Sequence, residues 1–153
     1  MKRVLVLCLA MMCMLMVIPG CASTKKEQGF HDLVEETQAL LDDVADDIYT
    51  NWYDCIYDDE FSGDINLAIA AAIADNEDAL NEIEGNNVVI ESLYGQIKDS
   101  KYKAEVKAVM QAYNDYYALV VEVSGSFNSY SANKEAYKKE LSSALKDLEM
   151  ELS

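Results

Sequence analysis

Asp58-Asp59-Glu60-Phe61-Ser62-Gly63-Asp64 is where this chain gathers oxygen ligands most densely. Asp58, Glu60, Ser62, Gly63, Asp64 and Ile65 fall near positions 1, 3, 5, 6, 7 and 8 of an EF-hand loop. Position 12 demands a bidentate acid and is Ile69 here, so a complete EF-hand is excluded. A looser, weak divalent-cation site on Asp58, Asp59, Glu60 and Asp64 remains conceivable, because hard cations accept carboxylate and carbonyl oxygens in flexible geometry. The plainer use of the segment is a solvated acidic turn in which Asp64 or Ser62 caps the next helix. A second candidate is the row Tyr49, Tyr53 and Tyr57 beside Trp52, spaced i, i+4, i+8. Such a row can bind a sugar, a peptide or a cationic group, but its usual employment is packing where two helices cross. Tyr113, Tyr116 and Tyr117 invite the same two readings.

Catalysis has little to work with. A nucleophile needs a base beside it, and His31 is the one histidine, expected on the surface one turn before Glu35. The helical Glu-x-x-His pair of di-iron sites is absent, since Gln28 stands three residues before His31. The expectation is therefore a protein that is not an enzyme and needs no cofactor.

Charge is distributed very unevenly. From Glu27 to Ile97 there are nineteen acids and no Lys or Arg, whereas Lys98 to Ser153 holds eight lysines against nine acids. Such a field repels phosphate backbones and anionic head groups, which excludes nucleic acid as a partner and favours cations or a basic protein or peptide. Asp42/Asp46 and Asp43/Asp47 place like charges one turn apart, which destabilises a helix by tenths of a kcal/mol. Lys101, Lys103, Lys107, Lys134, Lys138 and Lys139 are the residues that could offset them.

The elements that must position these groups read as helices throughout. Phe30, Val34, Thr37, Leu41, Val44, Ile48, Trp52 and Cys55 recur at steps of three or four, predicting a helix over 30–57 with Thr24 and Glu27 as a capping box before it. Ile65, Ile69, Ala72, Asn76, Leu80, Ile83, Asn87, Ile90, Tyr94 and Ile97 predict one long second helix, with Gly85 as the place where it would kink or split. Tyr102, Val106, Val109, Tyr113, Tyr116, Val120 and Val123 mark a third, ended by Ser124-Gly125-Ser126. Tyr137, Leu141, Ala144, Leu148 and Leu152 mark a fourth, with Ser131 as its N-cap. The predicted class is all-α, about four amphipathic helices in an antiparallel bundle or a long hairpin with two shorter helices.

The address lies at the start of the chain. Lys2 and Arg3 precede an apolar run from Val4 to Ile18, and Ile18-Pro19-Gly20-Cys21 follows. The run is shorter than a membrane span and ends in Pro-Gly, as an export signal does. The tetrapeptide resembles a lipobox, matching at Ile18 and Gly20 and departing at Pro19. That resemblance implies a signal peptide over 1–20, a diacylglyceryl thioether on Cys21, a short lipidated tether over 21–29 and an acidic helical domain over 30–153. It also implies export to the outer face of the cytoplasmic membrane, with the lipid as the contact to the membrane. Cys8 and Cys13 would leave with the signal, so Cys55 would be the single thiol, expected to be buried. With the Tyr-rich third helix and the Ser124–Ser131 loop, the chain is similar to small helical lipoproteins of Gram-positive bacteria, a likeness that implies no activity. Interaction or scaffolding at the cell envelope is the expected role, with cation or small-ligand binding at 58–64 or at the tyrosine row as its rival.

Overall fold

A computed structural model describes residues 22–153, with side chains from residue 24 onward. The expected signal segment and Cys21, the expected site of lipidation, lie outside the described residues. All regular structure among them is helical, as expected: α1 (Ala22–Tyr57), a 3-10 turn (Glu60–Gly63), α2 (Ile65–Asp75), α3 (Glu77–Ile97), α4 (Lys103–Val121) and α5 (Phe127–Leu152). No helix among the described residues is long and apolar enough to cross a membrane.

Helix α1 buries all eight positions of its predicted stripe, from Phe30 to Cys55. Its start differs from expectation. Residues 22–29 are already helical, so Thr24 lies inside the helix rather than capping it. Packing explains the extension: Glu27 is fully buried and Lys26 Nζ donates to Gln96 Oε1 at 3.0 Å. The helix has 36 residues. At about 1.5 Å per residue it spans about 54 Å and forms a backbone for everything else.

The second predicted helix is two helices. The break falls at Asn76, between α2 and α3, and Gly85 sits in uninterrupted helix. Asn76 suits the break because its side-chain amide donates to Ala72 O and to Asp47 Oδ2, both at 2.9 Å, an exchange of local bonds that Asn offers and glycine cannot. Helix α4 buries Val106, Val109, Tyr113, Tyr116 and Val120 of its predicted face. Helix α5 begins earlier than Ser131 allows. Ser126 is its N-cap, in a capping box with Ser129, and Gly125 at φ 87° turns the chain into it.

Side-chain registers fix the directions. Down α1, Asn51, Asp47, Thr37 and Lys26 bond in turn to Ala68, Asn76, Asn86 and Gln96, so α2 and α3 run antiparallel to α1. On its other flank Asp46, Asp42 and Gln38 meet Lys134, Lys138 and Ser142, so α5 is antiparallel too. Helix α4 returns between them, packing chiefly on α5 and only lightly on α3. One apolar core runs through these contacts, from Phe30 and Leu41 of α1 to Ile83 and Ile90 of α3, Tyr113 of α4 and Leu141 of α5. Cys55 is a buried free thiol.

Candidate functional site

The acidic turn spends one of its carboxylates on the backbone. Asp64 is the N-cap of α2, its Oδ1 accepting from Asn66 N at 3.0 Å and Leu67 N at 3.3 Å. Asp58, Asp59 and Glu60 are exposed. Asp59, Phe61, Ser62 and Gly63 all have positive φ, a tight left-handed run that three non-glycine residues enter at a cost on the order of 1 kcal/mol each. Nowhere among the described residues do three or more His, Cys, Asp or Glu side chains come together to hold a metal ion.

The tyrosine row is occupied by the protein itself. Phe127, the first residue of α5, stacks on Tyr49 with ring centroids 5.2 Å apart and lies 6.2 Å from both Tyr53 and Tyr57. Trp52 packs at 6.0 Å from Phe127 and 5.7 Å from Tyr130. Tyr53 and Tyr57 keep 40% and 60% of their surface exposed, so the outer end of the row is wet while its inner end is sealed. The cation an aromatic face would attract is also internal: Lys134 Nζ sits 4.6 Å from the Tyr49 centroid and pairs with Asp46.

Lys134 belongs to a polar seam between α1 and α5. Lys138 Nζ is 3.0 Å from Asp42 Oδ2, and the Tyr116 phenol donates to Asp42 Oδ1 at 2.7 Å. Tyr130 donates to Ala45 O at 3.4 Å, and Gln38 Nε2 donates to Ser142 Oγ at 2.7 Å. Burial pushes the Tyr116 phenol well above its ordinary range, and its bond to Asp42 pushes it further. Burial, with the nearby Asp46 charge, does the same to Tyr130. The Asp42 hydrogen bond raises Lys138. The lysines that the sequence offered as counter-charges thus reduce to two, Lys134 and Lys138.

His31 departs from expectation. It is buried rather than on the surface, and its Nδ1 lies 3.1 Å from Asp32 Oδ1, not against Glu35. Glu27, one turn earlier, is buried with neither carboxylate oxygen bonded.

The other flank of the molecule carries a groove that no motif announced. Ile73, Leu80, Glu84, Tyr117, Val120 and Val121 line an open cleft of about 280 Å³ between the α2–α3 side and α4. Tyr117 is raised above its ordinary pKa by partial burial and then by the charges of Glu84, Glu91 and Glu122, which places all three carboxylates within electrostatic reach of its phenol. None of the three has a Lys, Arg or His within ion-pair distance among the described residues. Tyr113 stacks on Tyr117 at 5.9 Å, and its fully buried hydroxyl is unbonded, as is Asn87 Oδ1 on α3. No family model, curated protein or solved structure matches this chain.

The groove could not have been found from periodicity alone. Val121 and Ile73 lie off the predicted stripes, and Glu84, Glu91 and Glu122 were three acids among many. The signal that was available is the spacing of Tyr113, Tyr117 and Val121 along one edge of α4.

Proposed function

We propose that this protein is a lipid-anchored binding or scaffold module of the cell envelope that recruits a basic protein or peptide through its α2–α3 side. One observation carries the reading. Lys134 and Lys138 neutralise Asp46 and Asp42 on the α5 flank, while Asp75, Glu77, Asp78, Glu82, Glu84 and Glu91 are exposed with no cation partner among the described residues. A field of one sign on a single side steers a partner of the opposite sign and orients it, which suits a module held near a surface. The anchor in this reading is Cys21, on the strength of Ile18-Pro19-Gly20-Cys21 after the apolar run. Two or more acyl chains would hold it stably; one would not.

Two experiments test the two halves. Full chain expressed in a bacterial host should sediment with membranes and the Cys21→Ala variant should be released; retention of the variant sinks the anchor. Fluorescent polylysine should bind the full chain in detergent and weaken as salt rises from about 0.01 M to about 0.1 M, where the screening length shrinks from about 30 to about 10 Å. Binding no tighter than that of polyglutamate would reject a basic partner altogether.

A further inference from the structure

The groove between α3 and α4 has two properties that the general acidity of the surface does not explain. Its floor is apolar and partly open to water: Ile73 and Val121 keep 40% and 41% of their surface exposed at its edge. Its polar groups are unspent. Glu84 lines the groove beside Tyr117, Glu91 and Glu122 lie within electrostatic reach of that phenol, none of the three has a cation partner among the described residues, and the buried hydroxyl of Tyr113, which stacks on Tyr117, has no partner.

We propose that this groove receives a basic amphipathic peptide segment of a partner protein, an apolar side chain entering between Leu80 and Val120 while a neighbouring lysine or arginine pairs with Glu84 beside Tyr117, in the field of Glu91 and Glu122. The inference rests on the reading of the protein as a binder of basic partners and names where such a partner docks. An open cleft of about 280 Å³ with a mainly apolar lining has room for one or two side chains of a partner. Charge decides against a lipid head group or a nucleic acid, which would bring anions to three unpaired glutamates. Tyrosine beside carboxylates favours a cation, through its ring face and through direct pairing together.

The test uses the full chain in mild detergent and a labelled helical peptide of alternating leucine and lysine blocks, with a leucine–glutamate peptide and polylysine as controls. The leucine–lysine peptide should bind more tightly than polylysine, and E84Q/E91Q/E122Q should weaken it about tenfold, the sum expected of three rim charges. Val121→Glu, at an exposed position, should weaken it as well, while D58N/D59N/E60Q, an equal change of charge at the acidic turn, should leave it within about twofold. Equal weakening by both triple variants would overturn the groove and leave a diffuse acidic surface. Failure of the leucine–lysine peptide and polylysine alike to outbind the leucine–glutamate peptide would overturn the underlying reading too. Self-association of the chain that E84Q/E91Q/E122Q abolishes would replace the peptide with a second copy.

Discussion

Helix α1 carries two acid pairs one turn apart, and the fold treats them differently. Asp42 and Asp46 meet Lys138, Lys134 and the Tyr116 phenol across the α5 seam. Asp47, of the other pair, meets only the Asn76 amide, and Asp43 stays exposed. The same contrast extends over the molecule. The α1–α5 side is laced with charge-assisted bonds, sealed by Phe127, Trp52 and Tyr130, and closed by a capping box at Ser126 and Ser129. The α2–α3 side has unpaired acids, exposed Val88 and Val89, and a light contact with α4. If recognition falls on the α2–α3 side as proposed, stability and recognition occupy opposite flanks of one long helix, and a change on one flank should leave the other's property intact.

Alkaline pH should act most strongly, through Tyr116 and Tyr130 on the sealed side and through Tyr113 beside the groove. Tyr113, Tyr116 and Tyr130 are held above the ordinary tyrosine value of 10.0 by burial. Once pH passes 10.0 the unfolded chain loses phenolic protons that the folded chain keeps, so stability falls as pH rises. Lys138, raised by Asp42, has the same sign: its contribution is present at neutral pH and lost at alkaline pH. A urea midpoint unchanged between pH 9 and pH 11 would contradict this.

Tyr130→Ala should cost about 3–5 kcal/mol, as truncations of buried aromatics do, because Tyr130 is fully buried against Trp52. Val88→Ala, at a position 65% exposed, should change stability by less than about 0.5 kcal/mol. Equal losses in chemical denaturation would erase the distinction between the flanks.

Lys134→Met keeps the apolar stem but removes the bond to Asp46 and the cation over Tyr49. A loss of about 1–3 kcal/mol is expected, the range for hydrogen bonds to charged groups with a cation–π contact added. Lys146→Met, exposed and without an ion-pair partner among the described residues, is the control expected to be silent.

The smallest effect is a gain. Gly85 lies in the interior of α3 with no atom within 4 Å of an added Cβ, so Gly85→Ala should stabilise by about 0.5–1 kcal/mol. Gly125→Ala should destabilise, since φ is 87° there and the added Cβ would come within 2.8 Å of Ser129 Oγ in the capping box. Thermal melts of the two variants moving in the same direction would contradict the placement of these glycines.

Much of the fold was legible because helical period is a local property. The stripes of α1, α4 and α5 follow from three-four spacing, and most of their members are buried. The α2–α3 break was misplaced because intrinsic propensity singles out Gly85, whereas the bonds of Asn76 to Ala72 and Asp47 depend on α1 lying alongside. Ser131 was expected as the cap, whereas Ser126 fills that place, and the reciprocal bonds with Ser129 that select it exist only once the turn is folded. The acidic turn drew attention by density, yet Asp64 serves the α2 backbone. The groove was silent because its residues come from three helices and no single stripe contains them.

The most direct test of the division between flanks is an amide chemical-shift map of the full chain in detergent as the leucine–lysine peptide is titrated. Perturbations should concentrate at Ile73, Leu80, Glu84, Tyr117 and Val121, leaving Asp46, Tyr49 and Lys134 still. Shifts centred on the α1–α5 seam or on Asp58–Asp64 would contradict the assignment of recognition to the α2–α3 side.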